Sequence, residues 1–257
     1  MQEVLFYKRP ELLRPTDHVD LRFNQLTSLD FARSATAVPL MAAEFPRACT
    51  RFPIVFSKSR DGDMMSHAVL SLDKGGNAFV NEQGEWMAPY LPLYIRRYPF
   101  VLANLANKPD DFAVAFDADS SCFNTETGER LFDETGKATE FLEKEMDYLR
   151  RSHHEHLRTR KFIQMLVDEE LLSGIQIDVV RARDDAKSTI RNLLAVDEKK
   201  LKALPAEKSQ GLLADGLMAI IYAHLISLNN FERIADRSGS PTDTVPWRAK
   251  TGGATGN

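Results

Sequence analysis

Cysteine is scarce. Cys49 and Cys122 are the two in 257 residues, with no CxxC and no metal-ligand spacing between them. That excludes a disulfide framework, and both read as reduced thiols. An excess of one charge is also missing: 33 basic and 37 acidic residues leave a net charge of -4. Such a balance offers no sequence-independent attraction to phosphate backbones or anionic lipid, so no nucleic-acid partner is expected. The longest apolar run, residues 212–228, is broken by Asp215, Gly216 and His224. It falls short of the roughly 20 residues a bilayer span needs and predicts a core helix, with no membrane insertion. The first ten residues lack the apolar core and small-residue cleavage site of a signal peptide, which predicts a cytoplasmic location. No Walker loop or dinucleotide fingerprint is present, because Gly75-Gly76 falls in a predicted hairpin, and no cofactor is expected. Ser120 and Ser121 lack the Gly-x-Ser-x-Gly context of a hydrolase elbow.

What is present suits one sizeable core. With 43% hydrophobic residues, residues 1–237 are expected to form a single domain, followed by a Gly-, Ser-, Thr- and Pro-rich disordered tail over 238–257. Four prolines between residues 10 and 46 suit an extended wrap ending in a short helix that Pro46 closes. Apolar runs at 54–56, 68–72 and 78–80, separated by turn residues, predict a strand meander. Two more strands, 100–105 and 112–116, flank the polar turn 107–111. A long helix should run from residue 140 to about 172, capped by Thr139 and ended by Gly174. Its apolar side includes Leu149, Leu157, Ile163 and Leu166, and its arginines fill the other. Alternation at 175–179 and an apolar run at 190–196 give two further strands. Asp197 caps a short helix, and Pro205 opens a last long helix over 206–236. The fold class is α+β, a mainly antiparallel sheet packed against two long helices, because the strand connections are too short for crossovers.

The most specified stretch is residues 86–100, which sets Trp86, Tyr90, Tyr94, Arg96, Arg97 and Tyr98 among prolines. Pro92 suits a first helical position and Pro99 a stop, leaving about two helical turns. On that helix Tyr90, Tyr94 and Arg97 lie together while Arg96 points about 100° away. Glu44 also occurs inside apolar sequence, where an unpaired charge is costly, so an ion pair from Glu44 to Arg97 or Arg96 is one reading. The functional reading leaves one arginine free to hold a carboxylate or phosphate beside Tyr90, Tyr94, Tyr98 and Trp86.

Other candidates reduce to structural roles. His153-His154-Glu155-His156 does not fit a zinc motif, since Arg158 stands four residues after His154, and the surrounding arginines oppose a cation. It reads as a solvated helix face, and no metal is expected. His224 reads as a hydrogen-bonded core histidine. Asp117, Asp119, Ser120 and Ser121 read as a turn bonded to its own backbone. No catalytic residue can be assigned.

Several blocks are familiar as a set. Val38-Pro-Leu through Glu44-Phe-Pro46, Phe52-Pro-Ile-Val-Phe56, the 86–100 stretch, Leu131-Phe-Asp133 and residues 217–229 resemble the bacterial SapC family, in the same order from about Leu5 to Arg237. Tyr94-Ile-Arg-Arg-Tyr-Pro-Phe100 is the most specific piece. The resemblance is to the surface-layer-associated family and not to the peptide-transport permease of the same name, whose spanning helices have no counterpart here. It implies a soluble, non-catalytic accessory or binding protein of a surface-layer or outer-membrane uptake system, working with a protein partner. The alternative is an enzyme or small-ligand sensor that recognises an anion through an Arg/Tyr/Glu pocket.

Overall fold

The computed structural model describes residues 5–59, 62–72, 76–105, 108–180 and 187–237. The first half of the chain contributes β1 (Pro10–Leu12), α1 (Pro15–His18), β2 (Arg22–Phe23), β3 (Ala37–Pro39), α2 (Phe45–Ala48), β4 (Ile54–Lys58), β5 (Met64–Val69), α3 (Leu93–Arg96), β6 (Phe100–Leu105) and β7 (Lys108–Asp117). The second half adds β8 (Phe123–Asn124), β9 (Glu129–Arg130), α4 (Glu140–Asp168), β10 (Leu172–Val180), β11 (Lys187–Val196), α5 (Glu198–Lys202), α6 (Ala206–Ala214), α7 (Leu217–Ser227) and α8 (Asn230–Arg237). The class is α+β with antiparallel pairing throughout these strands. The strands divide among three sheets, ordered β10-β11-β4-β5-β3, β1-β7-β6 and β8-β2-β9. The proposed tail lies outside the described residues.

Hydrophobic burial falls into a main core, a second cluster and a small third one of Tyr7, Tyr98, Val101 and Ala115, and α4 reaches the first two. Ile54, Val55 and Phe56 of β4 are all buried, as a strand covered on both faces must be. Phe162, Ile163 and Leu166 of α4 join that main core, while Leu142 and Leu149 join a second cluster with Phe100, Phe116 and Leu131. Thr139 caps α4 as expected, its Oγ1 accepting from the Leu142 N–H at 3.4 Å.

Several boundaries differ from the sequence reading for identifiable reasons. Residues 78–80 contribute only the isolated bridge from Val80 to Trp86, so the meander has two strands at that point. Pro46 lies in the first turn of α2 and opens that helix, where its missing N–H is harmless. Gly174 belongs to β10. The stop of α4 is Glu170, a non-glycine residue at φ 54°, and the Leu171 N–H reaches back to the Leu166 carbonyl at 2.9 Å. That bond closes a Schellman turn, and the burial of both leucines supplies its apolar contact. The last helical stretch divides into α6, α7 and α8, with α6 and α7 set at 91°. Gly216, at φ 72°, makes that corner.

The seam between β4 and β11 is thin. Asn192 sits at φ 63° where the β10–β11 register shifts, and one pair, Leu194 with Phe56, joins β11 to β4 among the described residues. Two side chains of α7 supply acceptors that the ladder lacks there. Ser227 Oγ accepts from the Ile54 N–H at 2.9 Å and His224 Nε2 from the Val196 N–H at 3.0 Å. His224 is therefore the core histidine the sequence suggested, fully buried against the Phe56 ring. Its proton sits on Nδ1, which has no partner among the described residues.

Two measurements test this reading. Burial depresses the His224 pKa to about 3, so the unfolded chain binds the proton first as pH falls below the ordinary imidazole value. Stability is full above about pH 6.5 and lost below it, approaching about 1.4 kcal/mol per pH unit. His67, His153 and His156, also lowered by burial, act in the same direction. Urea unfolding between about pH 6.5 and 5 should therefore lose stability more steeply in the wild type than in His224→Gln. Glu170→Gly should raise stability by up to about 1 kcal/mol, because glycine adopts the left-handed conformation without a Cβ penalty.

Candidate functional site

Glu44 organises the segment that carries the arginines. Its carboxylate is buried, and Oε2 accepts from the Met41 N–H at 2.8 Å. Oε1 accepts from the Leu93 N–H at 2.8 Å and from the Tyr90 hydroxyl at 2.7 Å. Pro92 occupies the N-cap of α3 without a side-chain cap of its own. Glu44 fills that function from a distant part of the chain. Burial drives the Glu44 pKa up, and its three donors oppose the rise. Burial also raises the Tyr90 phenol, and the Glu44 charge adds to that shift.

The expected ion pair is absent: no salt bridge joins Glu44 to Arg96 or Arg97 among the described residues. Main-chain N–H groups and a phenol satisfy the carboxylate instead. α3 is a single helical turn, shorter than the two anticipated, and the Tyr98–Pro99 bond beyond it is cis. Arg96 is exposed and donates to the Leu91 carbonyl at 3.1 Å. Trp86 donates to the Tyr90 carbonyl at 2.8 Å and packs near Phe52 and Phe79. Tyr98 donates to Asp117 Oδ2 at 2.9 Å. Trp86, Tyr90, Tyr98 and Glu44 are thus engaged in holding the segment, and they do not line the cavity described next.

Arg97 and Tyr94 do line it. The Arg97 guanidinium carbon lies 4.0 Å from the Tyr94 ring centroid, and its buried Nε has no hydrogen-bond partner among the described residues. Its positive charge opposes the burial-driven rise of the Tyr7 phenol pKa. Both residues face a cavity of about 510 Å³ between α3, the β3–β5 pair, β6 and the inner side of α4. That volume is in the range of small-molecule sites.

The α4 wall explains why the cavity exists. Leu149, His156 and Ile163 are spaced by seven residues, two helical turns, and so share one side of the helix. The leucine and isoleucine enter the two cores. Between them the same side presents Ser152, His153, His156 and Thr159, which line a space that apolar side chains would otherwise fill. The sequence reading put these histidines on a solvated face and Leu157 on the packed one. Leu157 is instead 42% exposed. Strict seven-residue spacing from Leu149 was the signal that could have found His156.

Most polar groups around the cavity are already used. Ser66, Ser152 and Thr159 donate to the carbonyls of Leu40, Tyr148 and Glu155. Arg160 lies 3.7 Å from Asp63. Arg97 is left as the cation without an acidic partner, beside two imidazoles that burial keeps largely neutral at pH 7. Arg160 and Arg97 depress His156 further. Among the described residues no three His, Cys, Asp or Glu side chains converge as a metal site requires. Asp117 is the buried last residue of β7, accepting from the Arg9 N–H at 2.9 Å as well as from Tyr98.

Fold and site together define an α+β domain enclosing a mixed polar and apolar cavity with one unpaired arginine. The family model described as SapC matches residues 13–234, and the chain belongs to the SapC family. No curated protein and no solved structure matches.

Glu44→Ala should cost at least about 2 kcal/mol, since it strands three donors around a void. Glu44→Gln should also destabilise, because its amide nitrogen must face a donor. Chemical denaturation of both variants measures the two losses.

Proposed function

We propose that this chain is a ligand-binding accessory protein of a bacterial surface-layer or outer-membrane uptake system, and that its cavity holds a small anion. The observation that carries the reading is the Arg97 guanidinium at the cavity wall, with a buried Nε and no acidic partner among the described residues. Holding a half-buried cation without an acidic partner is costly, and a bound anion offsets that cost. Binding is favoured over nucleophilic catalysis because the hydroxyls of Ser66, Ser152 and Thr159 each donate to a main-chain carbonyl, so no base holds them. The system, its protein partner and a cytoplasmic location are inferred from what family membership implies.

Thermal unfolding in the presence of phosphate and of carboxylates tests the reading. A ligand at 100 times its Kd stabilises by about 2.7 kcal/mol, or roughly 5–10 °C for a domain of this size. Arg97→Gln should abolish the shift while staying folded. If no anion raises the wild-type melting temperature, the binding reading is wrong.

A further inference from the structure

The ligand class follows from what the cavity offers, and this step rests on the anion-binding reading above. The charge inventory is small. Arg160 is opposed by Asp63 at 3.7 Å, and His153 and His156 are held mostly neutral, so Arg97 supplies the one uncompensated positive charge among the described lining residues. One cation matches one negative charge. A nucleotide or other polyphosphate would bring more negative charge than the site can neutralise.

Shape and hydrogen bonding narrow the choice further. A guanidinium is planar and presents its N–H groups as a fork that matches a carboxylate. The rest of the wall is mixed, and its apolar part includes Leu40, Val101, Leu102 and Leu149 beside Met64 and Met65. Methionine side chains are unbranched and polarizable and adapt to a flexible apolar guest. The hydroxyls of Ser66, Ser152 and Thr159 already donate to main-chain carbonyls, and Ser59 Oγ accepts from the Asp63 N–H at 3.1 Å, so few are held ready for a sugar or a polyol.

We infer that the cavity takes a medium-length aliphatic monocarboxylate, its head on Arg97 and its tail along the wall formed by Met64, Met65, Leu102 and Leu149. The Tyr94 ring, already 4.0 Å from the guanidinium, keeps the fork oriented toward the head. Transfer of each methylene from water to such a wall is favourable, so affinity should climb with chain length until the cavity is full.

Isothermal titration of the full chain with acetate, octanoate, octanol and inorganic phosphate decides the matter. Octanoate should bind at least ten-fold more tightly than acetate or phosphate, and octanol, which keeps the tail but lacks the charge, should bind at least ten-fold more weakly than octanoate. Arg97→Gln should lose at least ten-fold in octanoate affinity. Leu102→Asn should weaken octanoate while leaving acetate unchanged, a difference that loss of fold cannot produce. If phosphate or acetate equals octanoate and still depends on Arg97, the aliphatic assignment is overturned while the anion site survives. If octanoate binding ignores Arg97→Gln, the placement of the head is overturned. If none of the anions binds, the underlying reading fails along with this one.

Discussion

The carboxylate of Glu44 ties together two segments of the main core, residues 41–44 and 90–93. Through the Met41 N–H it closes its own short turn, through the Leu93 N–H it starts α3, and through Tyr90 it holds the approach to that helix. A one-turn helix has too few internal hydrogen bonds to stand alone. Its orientation is borrowed from the buried acid, and with it the positions of Tyr94 and Arg97. The cost of removing this charge from water is spread over three donors, which is why no arginine is needed to neutralise it. The arginine left over is the one at the cavity.

A second constraint comes from α4. A helix that enters two separate hydrophobic clusters must pass between them, and the side chains on its inner face there need not be apolar; Thr159 meets the main core by accepting from the Ala42 N–H at 2.9 Å. In this chain that interval holds Ser152, His153, His156 and Thr159. The hollow thus arises from composition: polar residues occupy the inner face of a helix whose ends are anchored by leucine, isoleucine and phenylalanine.

The class of fold and much of its order were legible in the sequence, for local reasons. Alternation gave β10, an apolar run gave β4, and Thr139 and Asp197 were readable as caps because their function is set within three residues, whereas the strand expected at 68–72 is β5, displaced to Met64–Val69. What could not be read depends on distant parts of the chain. Glycine was the expected stop for α4, yet burial of Leu166 and Leu171 holds Glu170 in a conformation that glycine normally takes. Charge complementarity suggested Glu44 and an arginine as partners, whereas its donors are the Tyr90 phenol and two backbone groups, and backbone groups are in every sequence and advertised by none. Of the aromatic and charged residues singled out in the 86–100 stretch, Tyr94 and Arg97 reach the cavity. Trp86, Tyr90 and Tyr98 lie outside the one-turn helix α3 and serve as supports. The histidines were misplaced because a clustered charge pattern outweighed a seven-residue spacing that was equally visible.

The thin seam beside β4 has a mechanical meaning. A ladder of many strand pairs parts gradually, but here, among the described residues, one pair and two side-chain pegs from α7 join the outer hairpin to the sheet. The hairpin and the C-terminal helix are therefore coupled as a lever and its handle. Because Ser227 holds β4 and His224 holds β11, a shift of α7 acts on both sides of the seam at once.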